Sequence, residues 1–154
     1  MKKNTFNEKL SPPLSKQKIL LDYFQKKLFD GAEKLALSVT QEYPNHQFAW
    51  KVLGVILEQT GRKSEAINFH QRVVAISPKD PEAHFILANS LKELGRLEEA
   101  EKSYIKVITI KSDHAYSYNN LATTQKELGR INESLSNYKK AIKLKPDFAQ
   151  AQNN

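Results

Sequence analysis

The chain has 154 residues, with 24 Lys and Arg against 17 Asp and Glu, and no cysteine. That length suffices for one cooperative domain, and the missing cysteine removes disulfides, thiolate metal sites and cysteine nucleophiles together. The net charge of +7 is spread along the chain, so it raises nonspecific attraction to polyanions without specifying a nucleic-acid site. There is no apolar run of membrane length, and a cysteine-free chain suits a reducing cytoplasm.

Met1 to Pro13 has Lys2 and Lys3 but no apolar core behind them, so it is not an export signal and reads as a flexible leader over 1–13. Pro12 and Pro13 cannot continue a helix, and Ser15 is placed to cap the one that follows. Ile19, Leu20, Tyr23, Phe24 and Leu28 recur at helical intervals, which predicts an amphipathic helix. A second helix follows, with Asp30 as its expected cap, Ala32, Leu35, Ala36 and Val39 as its inner stripe, and Pro44 as its stop.

From Gln47 the chain repeats itself every 34 residues: Gly61, Gly95 and Gly129, Arg62, Arg96 and Arg130, and Leu53, Leu87 and Leu121 fall in register. A constant period over three copies predicts a stacked solenoid. First helices are expected near Gln47–Gln59, Pro81–Leu94 and Ala115–Leu128, and second helices near Ser64–Ile76, Leu97–Ile110 and Asn132–Leu144. The three glycines fall just past helix ends, where a left-handed conformation reverses the chain. Gly54, Ala88 and Ala122, facing Ala66, Ala100 and the slightly larger Ser134, let paired helices approach, while Trp50, Tyr104, Tyr118 and Tyr138 fill the gaps.

These residues resemble the tetratricopeptide repeat, whose pattern is an aromatic, Leu-Gly, a second aromatic, Ala, a third aromatic and a closing Pro. The fit covers 47–148: Trp50, Leu53, Gly54, Leu57, Ala66 and Pro78, then Leu87, Ala88, Leu91, Ala100 and Tyr104, then Tyr118, Leu121, Ala122, Tyr138, Ala141 and Pro146. His70, His84, Ser112, Gln125 and Ser134 depart from the pattern. The resemblance implies an all-α, right-handed superhelical solenoid of antiparallel helix pairs over 14–148. Its repeats would be 47–80, 81–114 and 115–148, preceded by a degenerate one at 13–46 in which KLFDGA stands where GRLEEA stands later.

In such a fold the first helix of each pair lines the concave face. Helical spacing leaves Phe48, Lys51, Val52, Val55 and Gln59 exposed there in one repeat, Glu82, Phe85, Ile86, Asn89 and Glu93 in the next, and Tyr116, Asn119, Asn120, Thr123 and Glu127 in the third. The candidate partner-binding groove is Phe48, Lys51, Val55, Phe85, Asn89, Tyr116, Asn119, Asn120 and Thr123. Asn donates and accepts at once, so Asn89, Asn120 and Asn154 suit an extended peptide or protein segment packed on Phe48, Phe85 and Tyr116. The plainer use of the same amides is to solvate a groove. Co-chaperone repeats that grip a C-terminal carboxylate set Lys and Arg beside two Asn. Here Asn89 and Asn120 resemble that pair, but Phe85, Gln150 and Asn154 stand where cations are expected. Arrays that precede transferase domains carry an Asn ladder, which Asn120 and Asn154 match and Val52 and Ile86 do not.

Residues 149–154 repeat the opening of the copy at Ala115, so the chain is expected to stop inside a truncated further repeat. Ile131, Leu135, Ala141, Ile142 and Leu144 would then leave an apolar patch for self-association. His46, His70, His84 and His114 form no metal-ligand pair at helical spacing and read as packing or surface histidines. Lys139, Lys140, Lys143 and Lys145 read as a solvated helix end. The expected protein is a noncatalytic interaction scaffold of the cytoplasm, with a protein or peptide partner and no cofactor, metal, specific nucleic acid or membrane. The alternative is the N-terminal recruiting segment of a larger glycosyl-, sulfo- or methyltransferase.

Overall fold

The computed structural model describes residues 11–146, and among them it holds eight helices and no strand. In chain order these are α1 Leu14–Gln25, α2 Phe29–Glu42, α3 Gln47–Gln59, α4 Lys63–Ile76, α5 Pro81–Glu93, α6 Leu97–Ile110, α7 Ala115–Glu127 and α8 Ile131–Leu144. From Gln47 onward every helix boundary lies within a residue of the one the period predicts. The chain divides after Ile76 into two compact units, one with α1 to α4 and the other with α5 to α8. Residues 1–10 of the expected leader and the expected partial repeat at 149–154, with Gln150 and Asn154, lie outside the described residues.

One turn closes every helix pair. Gly61, Gly95 and Gly129 sit at φ +80, +72 and +77. The following N–H then returns to the helix: Arg62 to Leu57 O at 2.8 Å, Arg96 to Leu91 O at 2.9 Å and Arg130 to Gln125 O at 2.8 Å. Between α1 and α2 the same closure is made by Lys27 at φ +56, with Leu28 N–H on Tyr23 O at 2.9 Å.

In the first unit α2 packs on α1 and α3, and α3 on α4. Leu20, Ala32, Ala36, Val39, Ala49, Val52, Leu53 and Ile56 make its core, edged by Tyr23, Phe24, Phe48, Trp50 and Phe69. Gly54 is required by close approach: a Cβ there would lie 2.4 Å from the His70 ring. Trp50 Nε1–H donates to Pro44 O at 3.0 Å, its ring lies 5.9 Å from that of Phe69, and the Arg72 guanidinium sits 5.7 Å from its centroid.

Several expectations fail in this unit. Ser15 and Asp30 cap nothing, because α1 and α2 each begin one residue earlier, with Pro13 and Leu28 at the cap positions and no side-chain bond at either. Of the expected α1 stripe only Leu20 is fully buried; Ile19 and Leu28 are exposed, since α1 packs chiefly on α2 and α3. Val52 does not face solvent but belongs to the core cluster that holds Leu20.

In the second unit α5 packs on α6, α6 on α7 and α7 on α8. Ala88, Ala100, Tyr104, Val107, Leu121, Ala122 and Ala141 are buried. Ser134 keeps the close approach its size seemed to weaken, because its hydroxyl donates to Ala122 O at 2.8 Å. Ala141 is fully buried and Ile142 packs on the Ala122 and Tyr138 pair, so neither joins the expected exposed patch. Ile131 and Leu135, each 52% exposed, do. One polar cluster crosses the repeats: Arg130 bonds to the buried Glu101 carboxylate, which also accepts from Gln125 Nε2 at 3.1 Å.

The residues before α3, α5 and α7 are His46, Asp80 and His114, one repeat apart. Asp80 Oδ1 accepts from Glu82 N–H at 3.0 Å. His114 Nδ1 accepts from Ser117 N–H at 3.2 Å and lies 2.8 Å from the Ser117 hydroxyl. His46 makes no such bond, and its Nδ1 is buried without a partner.

Candidate partner-binding face

The candidate residues fall in both units, and each unit presents its own set. On α3 of the first unit Phe48, Lys51 and Val55 are half-buried, with Phe48 packed on the core cluster. On α5 and α7 of the second unit Phe85, Asn89, Asn119, Asn120 and Thr123 are half-buried and Tyr116 is 51% exposed.

The amides of the second unit are joined by hydrogen bonds. Tyr104, buried on α6, donates its hydroxyl to Asn89 Oδ1 at 2.6 Å, and Asn120 Nδ2 donates to the same oxygen at 3.1 Å. Asn119 Nδ2 in turn reaches Asn120 Oδ1 at 3.4 Å, while Asn119 Oδ1 is buried without a partner. One repeat later Thr123 donates to Asn119 O at 3.0 Å, so the Tyr138 hydroxyl, 2.9 Å from Thr123 Oγ1, is the donor of that pair.

Over this network lies a hollow of about 490 Å³ lined by Asn89, Lys92, Glu93, Tyr104, Asn120 and Glu127. Lys92 meets Glu127 at 3.5 Å. The Tyr104 hydroxyl is pushed up to about 12, first by burial, then against the lowering bond from Asn120 and with help from Glu93 and Glu127. The hollow therefore carries more carboxylate than ammonium, the opposite of a clamp for a C-terminal carboxylate.

Aromatic rings continue the face. Phe85 lies edge-on to Tyr104 at 6.1 Å and to His114 at 5.0 Å, and His114 lies 6.4 Å from Tyr116. Lys145 Nζ donates to the Tyr116 hydroxyl at 2.8 Å and sits 4.7 Å from its ring centroid. Burial lowers the His114 pKa, with Lys111 adding to the effect and Glu82 and Asp113 opposing it.

Helical spacing alone brings together the amides, Phe85 and Tyr116, whereas it leaves Tyr104 as a gap filler and His114 as a surface or packing group. A signal for the first was present: Asn89 and Tyr104, and Thr123 and Tyr138, are each fifteen residues apart, and at the same interval one repeat earlier stand Val55 and His70. Where the first-helix residue is apolar no phenol is needed, and His70 Nε2 turns to Glu58 at 3.0 Å instead.

Among the described residues no group of three or more His, Cys, Asp or Glu is placed to hold a metal. None of the described helices is long and apolar enough to cross a membrane.

The tetratricopeptide repeat family matches residues 19–81 and again residues 82–147. No curated protein matches the chain. Among solved structures it is similar to MamA, with a TM-score of 0.81, 24% identity, and coverage of 86% of this chain and 78% of that one. It is also similar to YrrB, described as a TPR protein with an unusual peptide-binding site, with a TM-score of 0.79, 22% identity, and coverage of 90% of this chain and 71% of that one.

Proposed function

Because the chain belongs to the tetratricopeptide repeat family, a family of protein-interaction scaffolds, we propose that it is noncatalytic and holds an extended peptide segment of a partner protein on the face of α5 and α7. The observation that carries this reading is the set of linked amides, Asn119, Asn120 and Asn89, under an open hollow and beside the Phe85, His114 and Tyr116 rings. Backbone amides of an extended chain are matched by such groups, and its side chains by rings at their flank. The peptide-binding site of YrrB supports the same class of ligand. Phe48, Lys51 and Val55 serve as a further contact set in the first unit. Residues 13–46 act as a degenerate first repeat, and the protein works in the cytoplasm, which its lack of cysteine suits.

The test is selection of a displayed peptide library on the protein, followed by Asn120→Ala. The substitution removes a donor to Asn89 and should weaken the selected peptides roughly tenfold while leaving helix content unchanged. Equal binding by the variant overturns the reading. The exposure of Ile131 and Leu135 supports self-association of copies as well; a mass that stays constant across concentration in light scattering overturns that part alone.

A further inference from the structure

A second recess in the α5 to α8 unit shares no residue with the amide hollow. It measures about 480 Å³ and lies between α6 and α8, with Ile105 and Ile108 on one wall, Ser136 and Asn137 on the other, and Leu121 and Gln125 of α7 beneath. Its apolar atoms come from one stripe of α6, since Ile105 and Ile108 are three residues apart.

Exposed lysines flank this recess. Lys102 and Lys106 lie beside Ile105 on α6, and Lys140 continues the stripe of Ser136 and Asn137 on α8, with Lys139 and Lys143 next to it. Lys102 acts through its charge on Glu99, three residues before it, but none of these five has a carboxylate within ion-pair distance among the described residues, whereas the turn arginines Arg96 and Arg130 are each paired to a glutamate. Lys140 Nζ lies 6.0 Å from the centroid of the Tyr118 ring.

Helix-dipole stabilisation does not account for the set. It fades beyond the last turn, and Lys102, Lys106, Lys139 and Lys140 precede the last turns of their helices. Lys102 with Lys106, and Lys139 with Lys143, are like charges four apart, which cost helix stability. Nor does the repeat require them: one repeat earlier the places of Lys102, Ile105 and Lys106 hold Asn68, Gln71 and Arg72, and Arg72 is committed to Trp50 and Pro44.

We propose that this groove docks an acidic amphipathic helix of a partner protein, its apolar side chains seated between α6 and α8 and its carboxylates on the flanking lysines. Charge complementarity and an apolar floor together select that partner. A nucleic-acid backbone would gain nothing from Ile105 and Ile108, which line the recess.

The test uses the whole chain and a fluorescein-labelled peptide of repeated Leu-Glu-Glu-Leu-Ala-Glu-Glu heptads, read by anisotropy. Saturable binding that weakens with salt is expected, reduced roughly fivefold or more by each of Lys106→Glu and Lys140→Glu. Ile105→Ser and a peptide with Ser in place of Leu should each weaken it comparably, while Asn120→Ala should leave it unchanged, which separates this groove from the amide face. Circular dichroism checks that each variant keeps its helices. Absence of binding, equal binding by the charge-reversed variants, or equal binding by the Ser peptide overturns the proposal. So does tighter binding through the same lysines to phosphatidylserine vesicles or to single-stranded DNA.

Discussion

His70 occupies the space that a methyl group on residue 54 would need, with its ring 2.4 Å from the Cβ position. That ring is buried and tied to Glu58, so it cannot swing away cheaply. Gly54→Ala should therefore lower stability by about 2 kcal/mol by overpacking, more than its gain in helix propensity, as read by chemical denaturation. Tyr104 makes a second prediction at this scale. Its phenol is held neutral to about 12, above the ordinary value near 10. The stability this contributes is present below the unfolded value and is lost as pH rises through the folded one. Ultraviolet titration should show one tyrosine ionising after the others, and Tyr104→Phe should abolish that late step.

At the scale of the element, the turns and caps differ most between repeats. Lys27 holds a left-handed conformation that glycine holds in three other turns. Lys27→Gly should raise stability by about 1 kcal/mol in denaturant titrations, because the strain of a left-handed lysine outweighs the added freedom of the unfolded chain. Before α7, the His114 cap works only when its Nδ1 is unprotonated. Burial, first among the causes, lowers its pKa, so its stabilisation is full above about 6.5 and is lost as pH falls through the lower folded value. Asp80 shows that a carboxylate can fill this slot. Thermal melts of His114→Asp should lose less stability than the native chain between about pH 6.5 and 5, where the new carboxylate stays ionised. These details also mark what the sequence could show. Helix limits from Gln47 onward were legible because one period carries both the glycine turns and the apolar stripes. Ser15 and Asp30 misled because a capping residue type one position inside a helix looks the same in sequence as one at its edge. Val52 misled because its burial comes from the cluster it shares with Leu20, Ala32, Ala36 and Val39, which precede the stretch where the 34-residue pattern is clear.

On the scale of the whole molecule, the repeat period runs without interruption through Ile76 and Ser77, yet the chain divides there into two compact units. The division was not legible because every helix pair carries the same signature whatever packs beside it. The amide face was legible as residue types, but not the phenol beneath it, since the link joins residues on different helices. Net charge of +7 with several unpaired lysines predicts self-repulsion. Raising ionic strength from low salt to about 0.15 M should increase the melting temperature, because a screening length of about 8 Å weakens the summed repulsion among cations farther apart than that. The two hydrogen bonds already made to Asn89 Oδ1 have a consequence for any strand that lies across it. With both lone pairs taken, that amide has only hydrogens left to offer, so it reads a strand's oxygens and ignores its hydrogens. A peptide bearing an N-methyl group opposite Asn89 should therefore bind as well as its unmodified parent, while an ester-for-amide swap that weakens the carbonyl there should not.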